Sequence, residues 1–283
     1  MLVENIPSSN QNLSNAFIDI NNTLYVTDES TKKIDISPPY TEKRTISSNL
    51  TFSRGLFVTR TDDIYVDHGN HSQVTKWSVD TNQSSIIMYI NRRCTSLFVA
   101  SNFLYCSIFN GHLVITMTLS ANQSQLAAAA GTGCPGSALD MLNQPSGIYI
   151  NINMDLYVAD TGNDRIQLFR PGQLTGTTVL AERDATVIFP LRQPTSVILD
   201  ADDFLYIVDS GNQRIIRSGP SGSQCIIGCS IAPCSQSNLL CHPSSIIFST
   251  DGSLYITDIT GIIKFTLATN SCGKLQMHSL SAN

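Results

Sequence analysis

One short segment recurs along the chain: Leu or Ile, then Tyr, then a short run that usually ends in Asp. It reads NTLYVTD around Tyr25, DDIYVD around Tyr65, NFLYCS around Tyr105, MDLYVAD around Tyr157, DFLYIVD around Tyr206 and GSLYITD around Tyr255. The tyrosines are 40, 40, 52, 49 and 49 residues apart. An apolar strand and a short polar turn precede most of them. Periods of about 40–50 residues that hold several short strands mark the blades of a propeller. No helical periodicity persists beyond a turn or two, and the helix-friendly run QLAAAAG is too short to stand alone. The sequence therefore predicts an all-β, six-bladed β-propeller with four-stranded blades. It forms one domain over 1–283, with blades near 14–50, 51–91, 92–130, 142–183, 192–230 and 241–283.

Blade four shows the internal order. PSGIYIN is its inner strand A, Asn151–Asp155 a tight turn, DLYVAD strand B, TGND the next turn, RIQLF strand C and TTVLA strand D. The A and B segments are nearly continuous apolar runs, as expected where both faces of a sheet are covered. A tyrosine repeated in every blade reads as a packing device between blades. The closing Asp also repeats, at Asp28, Asp67, Asp160, Asp209 and Asp258, with Ser107 in blade three. In blades two, four and five a Gly-Asn follows, as Asp67-His-Gly69-Asn70, Asp160-Thr-Gly162-Asn163 and Asp209-Ser-Gly211-Asn212. There the carboxylate is expected to accept backbone N–H groups, with Gly and Asn supplying left-handed backbone. Ring closure has two candidates, an outer strand at 275–280 or one at Leu2–Ile6.

Leu142–Phe169, LNQPSGIYININMDLYVADTGNDRIQLF, resembles an NHL repeat, and Arg192–Ile216 is similar to one nearly as closely. The blade around Tyr255 keeps less of the motif, and the first three units keep mainly its register. The resemblance implies a six-bladed propeller, and it brings two activities into consideration. One is the zinc chemistry of peptidyl-hydroxyglycine amidating lyases, in which histidines of different blades hold the metal near the channel. The other is RNA or protein binding by the propellers of tripartite-motif ubiquitin ligases.

The histidines, His68, His71, His112, His242 and His278, do not recur at equivalent blade positions, so no zinc site with three protein ligands is expected. Calcium-dependent lactonases gather carboxylates at the channel, yet Glu4, Glu29, Glu42 and Glu182 avoid the strand A entries. No Gly-x-Ser-x-Gly elbow exists, and GTGCPGSALD (131–140) lacks the Lys-Ser/Thr ending of a phosphate loop. Arg165, Arg192 and Arg214 are offset by Asp160, Asp164 and Asp209, and the net charge is −5, which disfavours nucleic acid. No catalytic, cofactor or metal residue is expected, and no apolar stretch is long enough for a membrane span.

The compartment is read from cysteines and sequons. Eight cysteines occur, four of them crowded as Cys225, Cys229, Cys234 and Cys241. Their spacing is loose for a zinc knuckle and fits disulfides, most simply Cys225–Cys229 and Cys234–Cys241. Cys106, inside an apolar strand, reads as a free buried thiol. Sequons stand at Asn12, Asn21, Asn49, Asn70, Asn82 and Asn122, all before residue 123. These features predict an extracellular, glycosylated chain, or the ectodomain of a larger protein. The opening segment shows no secretory signal, which for an extracellular chain implies a fragment, an incomplete gene model or an unconventional start. The expected function is a non-catalytic scaffold that binds a protein or peptide.

Overall fold

The computed structural model describes residues 2–6, 13–28, 31–47, 53–69, 72–79, 81, 83–120, 125–181, 189–220, 222–229 and 240–266. The outermost strand of the ring comes first in the chain, as β1 (Leu2–Ile6). Blade one follows with β2 (Leu13–Ile18), β3 (Leu24–Asp28), β4 (Lys33–Ser37) and β5 (Arg44–Ser47). Blade two holds β6 (Leu56–Val58), β7 (Asp63–Asp67), β8 (Gln73–Ser78) and β9 (Gln83–Tyr89). Blade three holds β10 (Ser96–Ala100), β11 (Phe103–Ile108), β12 (Leu113–Thr118) and β13 (Leu126–Ala130). Blade four holds β14 (Pro145–Ile150), β15 (Leu156–Asp160), β16 (Arg165–Phe169) and β17 (Thr177–Ala181). Blade five holds β18 (Pro194–Leu199), β19 (Leu205–Asp209), β20 (Arg214–Gly219) and β21 (Gly222–Ile227). Blade six supplies only β22 (Ser245–Phe248), β23 (Leu254–Asp258) and β24 (Gly261–Thr266).

Each blade is a four-stranded antiparallel meander, and the sixth is completed by β1, which pairs with β24 from Leu2 opposite Thr266 to Ile6 opposite Ile262. Leu2–Ile6 is thus the closing strand. Residues 275–280, the other candidate, lie outside the described residues.

The core is divided among the six blade interfaces. Tyr25, Ile34, Leu56 and Ile64 join blades one and two, and Tyr65, Met88, Leu97 and Leu104 join two and three. Tyr105, Val114, Ile148 and Phe169 join three and four, while Tyr157, Ile166, Val197 and Leu205 join four and five. Tyr206, Ile227 and Leu254 join five and six, and Tyr255, Ile262, Ala16 and Val26 close six onto one. The repeated tyrosine is therefore an interface residue in every blade. Burial lifts its hydroxyl above the usual range in five of them, with the neighbouring Asp19 carboxylate adding to the effect at Tyr25. Opposite it on strand A stand Phe17, Phe57, Phe98, Tyr149, Ile198 and Ile247. The first four form a chain of ring contacts from blade to blade, with centroids 5.0, 4.8 and 5.4 Å apart. Edge and tilted geometries at these distances suit the ring quadrupoles.

A feature not expected from the sequence repeats on the outer strands. In blades two to five the C–D pairing slips by one residue, leaving Ile87, Ala129, Val179 and Ile226 unpaired in register. These are β-bulges, which bend a strand and sharpen its twist. The run Leu126–Ala130 is therefore an outer strand with a bulge.

Candidate functional site

The rim carrying the D–A and B–C connections is built around the Asp that closes strand B. Asp160 is fully buried; its Oδ1 accepts the Asn143 N–H at 2.6 Å, and its Oδ2 accepts Asn163 Nδ2 at 2.8 Å and Arg165 Nε at 2.7 Å. Arg165 then donates to the carbonyls of Ser137, Ala138 and Met141 at 2.8, 3.0 and 2.9 Å. One ion pair thus fixes residues 137–143 of the connection against strands B and C. Burial raises the Asp160 carboxyl above its ordinary value, against the pull of its amide donors and Arg165.

Blade five repeats the arrangement. Asp209 accepts Arg192 N–H at 2.6 Å, Asn212 Nδ2 at 2.9 Å and Arg214 Nε at 2.7 Å, and Arg214 also reaches the Pro190 carbonyl. In blade six Asp258 accepts the Cys241 and His242 N–H groups at 2.8 and 2.9 Å, with Gly261 opposite it where Arg stands in blades four and five. The turn glycines act differently from expectation. Gly162 and Gly211 lie in 3-10 turns without positive φ, and the left-handed residues are Asp164 (φ 51°) and Gln213 (φ 56°) just beyond them. Glycine is required by crowding instead: a Cβ on Gly162 would lie 2.7 Å from Asn143 Cγ, and one on Gly211 2.7 Å from the Arg192 carbonyl oxygen.

Two members of the expected Asp series are displaced. Counting from the blade tyrosine, Asp67 and Ser107 fall one residue early, and His68 and Ile108 occupy the Asp position. Asp67 therefore faces the next blade. It is fully buried, takes the Gly69 N–H on Oδ2 at 3.0 Å, and has no hydrogen-bond partner on Oδ1 among the described residues. Burial pushes its carboxyl up to about 7, with Arg93 and the local amides offsetting the effect only in part. In blade three, where Ile108 supplies no carboxylate, a disulfide joins Cys94 at the entry of strand A to Cys106 on strand B. Cys106 is thus bridged rather than a free thiol. Its partner lies across the hairpin, which the residue spacing did not reveal.

At the mouth of the channel the inner strands carry hydroxyls. Thr95 Oγ1 donates to the Pro145 carbonyl at 3.4 Å, Ser146 Oγ to the Thr195 carbonyl at 2.9 Å, and Thr195 Oγ1 to the Pro243 carbonyl at 3.4 Å. These bonds lace blade three to four, four to five and five to six. Blade two has Arg54 at the equivalent position, and its carbonyl accepts Asn15 Nδ2 at 2.6 Å. Neutral hydroxyls engaged in this way are poor ligands for a hard cation, and no cluster of three or more metal-ligating side chains occurs among the described residues. His112 Nδ1 accepts the Gln144 N–H at 3.2 Å, His68 is buried and His242 is exposed. His71 and His278 lie outside the described residues.

The structure also bridges Cys225 to Cys229. Cys134 is exposed and unbridged, while Cys234 lies outside the described residues. Of the sequon residues only Asn21 is described; it is exposed in the A–B turn of blade one, its N–H donated to Asp19 Oδ1. Asn12, Asn49, Asn70, Asn82 and Asn122 lie outside. No helix among the described residues is long and apolar enough to cross a membrane.

No protein-family model matches the chain, and no curated protein matches it in sequence. Solved structures do match in fold. A streptogramin B lyase superposes with a TM-score of 0.66 at 16% identity, covering 93% of this chain and 81% of that one. A structure of a nidogen/laminin complex gives 0.61 at 14%, covering 86% and 84%. A protein described as a putative gluconolactonase gives 0.67 at 10%, covering 93% and 90%. At these identities the likeness shows the six-bladed propeller and nothing finer, because one propeller frame hosts unrelated activities.

Proposed function

We propose that this chain is a non-catalytic, extracellular propeller of NHL type that binds a protein or peptide. The observation that carries the reading is the use made of polar groups around the rim. Thr95, Ser146 and Thr195 lace neighbouring blades together, and Asp160–Arg165 and Asp209–Arg214 fix the connections that lead into blades four and five. Such groups serve rigidity, and a rigid frame displaying pinned loops suits recognition of a macromolecular surface. The bridges Cys94–Cys106 and Cys225–Cys229 fit an oxidising compartment. The nidogen/laminin assembly among the similar structures is a protein–protein complex. The NHL character rests on Leu142–Phe169 and Arg192–Ile216, whose turns build the two Asp–Arg pairs.

The binding face is assigned to blades four to six, because all sequons lie before residue 123 and attached glycans are bulky. The test combines two measurements on protein secreted by eukaryotic cells. Mass spectrometry without reduction should find both bridges intact and glycans on the first three blades. Crosslinking of captured extracellular partners should then fall on blades four to six. Crosslinks confined to residues before 123 would overturn the placement. Chelator-sensitive turnover of lactones or cyclic depsipeptides would overturn the non-catalytic reading.

A further inference from the structure

Between the outer halves of blades three and four lies an open groove of about 370 Å³. One wall is strand β13 with Tyr105 and Thr116 of blade three; the other is Leu156, Phe169 and the turn Arg170–Leu174 of blade four. The bulge residues differ from blade to blade beside it. At the bulge position of the outer strand, blades two and five carry Ile87 and Ile226, each packed into the interface with the following blade. Blade three carries Ala129 there, flanked by Ala128. The alanine run of β13 thus leaves open at this interface the space that isoleucine side chains occupy at two others.

The lining is mostly apolar and includes one cation, with Tyr105, Thr116 and Gln173 adding polar groups. Ala128, Ala129, Met154, Leu156, Phe169 and Leu174 supply apolar surface, and Leu174 is 55% exposed. Arg170 is exposed and forms no ion pair among the described residues. It contrasts with Arg165 and Arg214, whose charges are met by Asp160 and Asp209. The Arg170–Gln173 backbone bond of 2.9 Å holds the turn that presents it. On the same face of blade four, two residues inward from Phe169, Gln167 is fully buried. Thr178 Oγ1 donates to its Oε1 at 2.9 Å, and its Nε2 has no hydrogen-bond partner among the described residues.

We infer that this groove binds an apolar monocarboxylate, a small amphiphile whose chain lies against the alanine strand and whose carboxylate pairs with Arg170. The volume falls at the small end of the range of about 300–1,000 Å³ for ligand pockets, room for a chain of about ten carbons. The charge at the rim selects an anion, and an arginine fork suits a carboxylate. This site lies away from the channel mouth, and its test involves no protein partner, so it stands or falls independently of that function.

The test is calorimetric titration of the full chain with decanoate below its micelle concentration, using decyltrimethylammonium as the cationic counterpart. Wild-type protein should bind one decanoate saturably and the cation at least about tenfold more weakly. Arg170→Gln, an exposed substitution, should weaken decanoate about tenfold and narrow its advantage over the cation. Ala129→Ile, which installs the residue of blades two and five, should abolish binding of both without lowering the thermal midpoint. Absence of saturable decanoate binding, or binding unchanged by Arg170→Gln, overturns the assignment. Binding retained by a folded Ala129→Ile protein overturns it equally. If that variant does not fold, the Arg170→Gln comparison decides alone.

Discussion

Replacing Arg165 by Met removes the donor that joins three elements at once. The guanidinium is 8% exposed and its partner Asp160 is fully buried. It donates to Asp160 Oδ2 and to the carbonyls of Ser137, Ala138 and Met141. The methionine stem keeps the packing, so the loss is electrostatic. Asp160 retains its bonds from Asn143 and Asn163 but has no counter-charge, and three loop carbonyls lose a charged donor. Removing one partner of a buried pair costs about 3–5 kcal/mol, a large share of the roughly 5–15 kcal/mol that holds a domain folded. Arg214→Met is the internal control: that side chain is 17% exposed and, among the described residues, reaches one carbonyl besides Asp209, so a loss of about 1.5–3 kcal/mol is expected. Urea unfolding of both variants, and of Asp160→Asn with and without Arg165→Met, measures these terms. The double variant should be about 1–3 kcal/mol less destabilised than the sum of the singles. Hydrogen exchange should speed up at residues 136–142. An Arg165→Met loss below about 1 kcal/mol, or one no larger than that of Arg214→Met, would refute the reasoning.

Gly162→Val and Gly211→Val should each cost about 1–3 kcal/mol or more through overpacking against Asn143 and Arg192. Gly172→Ala, at φ +74° with open space around its Cβ, should cost only about 1 kcal/mol, and thermal melts distinguish the two cases. Asp67 has a folded pKa of about 7 against an ordinary 3.8, so between those values the folded state holds a proton that the unfolded chain has lost. Stability should therefore fall as pH rises from about 4 to 7, by on the order of 1–4 kcal/mol in total, and Asp67→Asn should flatten that slope in urea titrations. Mild reductant followed by alkylation should open Cys225–Cys229 before Cys94–Cys106, because Cys229 is exposed while both cysteines of the other bridge are buried; the reverse order in mass spectra would contradict this.

The blade register was legible because Tyr25, Tyr65, Tyr105, Tyr157, Tyr206 and Tyr255 each serve an interface, and interface packing tolerates little variation in position. The Asp160 and Asp209 turns were legible as staples, since carboxylate, Gly and Asn stand at short fixed spacing. Their glycines were assigned the wrong physical role, because crowding against Asn143 and Arg192 involves a distant connection that local sequence does not display. Asp67 resembles its counterparts in composition but lies one residue out of phase, which moves its side chain to the opposite face of the blade. The Cys94–Cys106 bridge was hidden because pairing depends on hairpin geometry. The groove went unseen because Ala129 acquires meaning only beside Ile87 and Ile226, after the bulges are known.

Pairing Leu2–Ile6 with Gly261–Thr266 gives the ring a seam made of the earliest and latest parts of the described chain. During synthesis on the ribosome β1 emerges ahead of the six blades and waits, without its native neighbour, until β24 follows. Until the two pair, β24 has a bare edge, which is a template for the β1 of another copy as much as for its own. Two chains exchanging that strand would bury the same contacts as two closed rings, so the choice between monomer and exchanged dimer is set by concentration and by the connection between β1 and β2. A label or fusion placed just ahead of Leu2 would act at this seam and bias that choice.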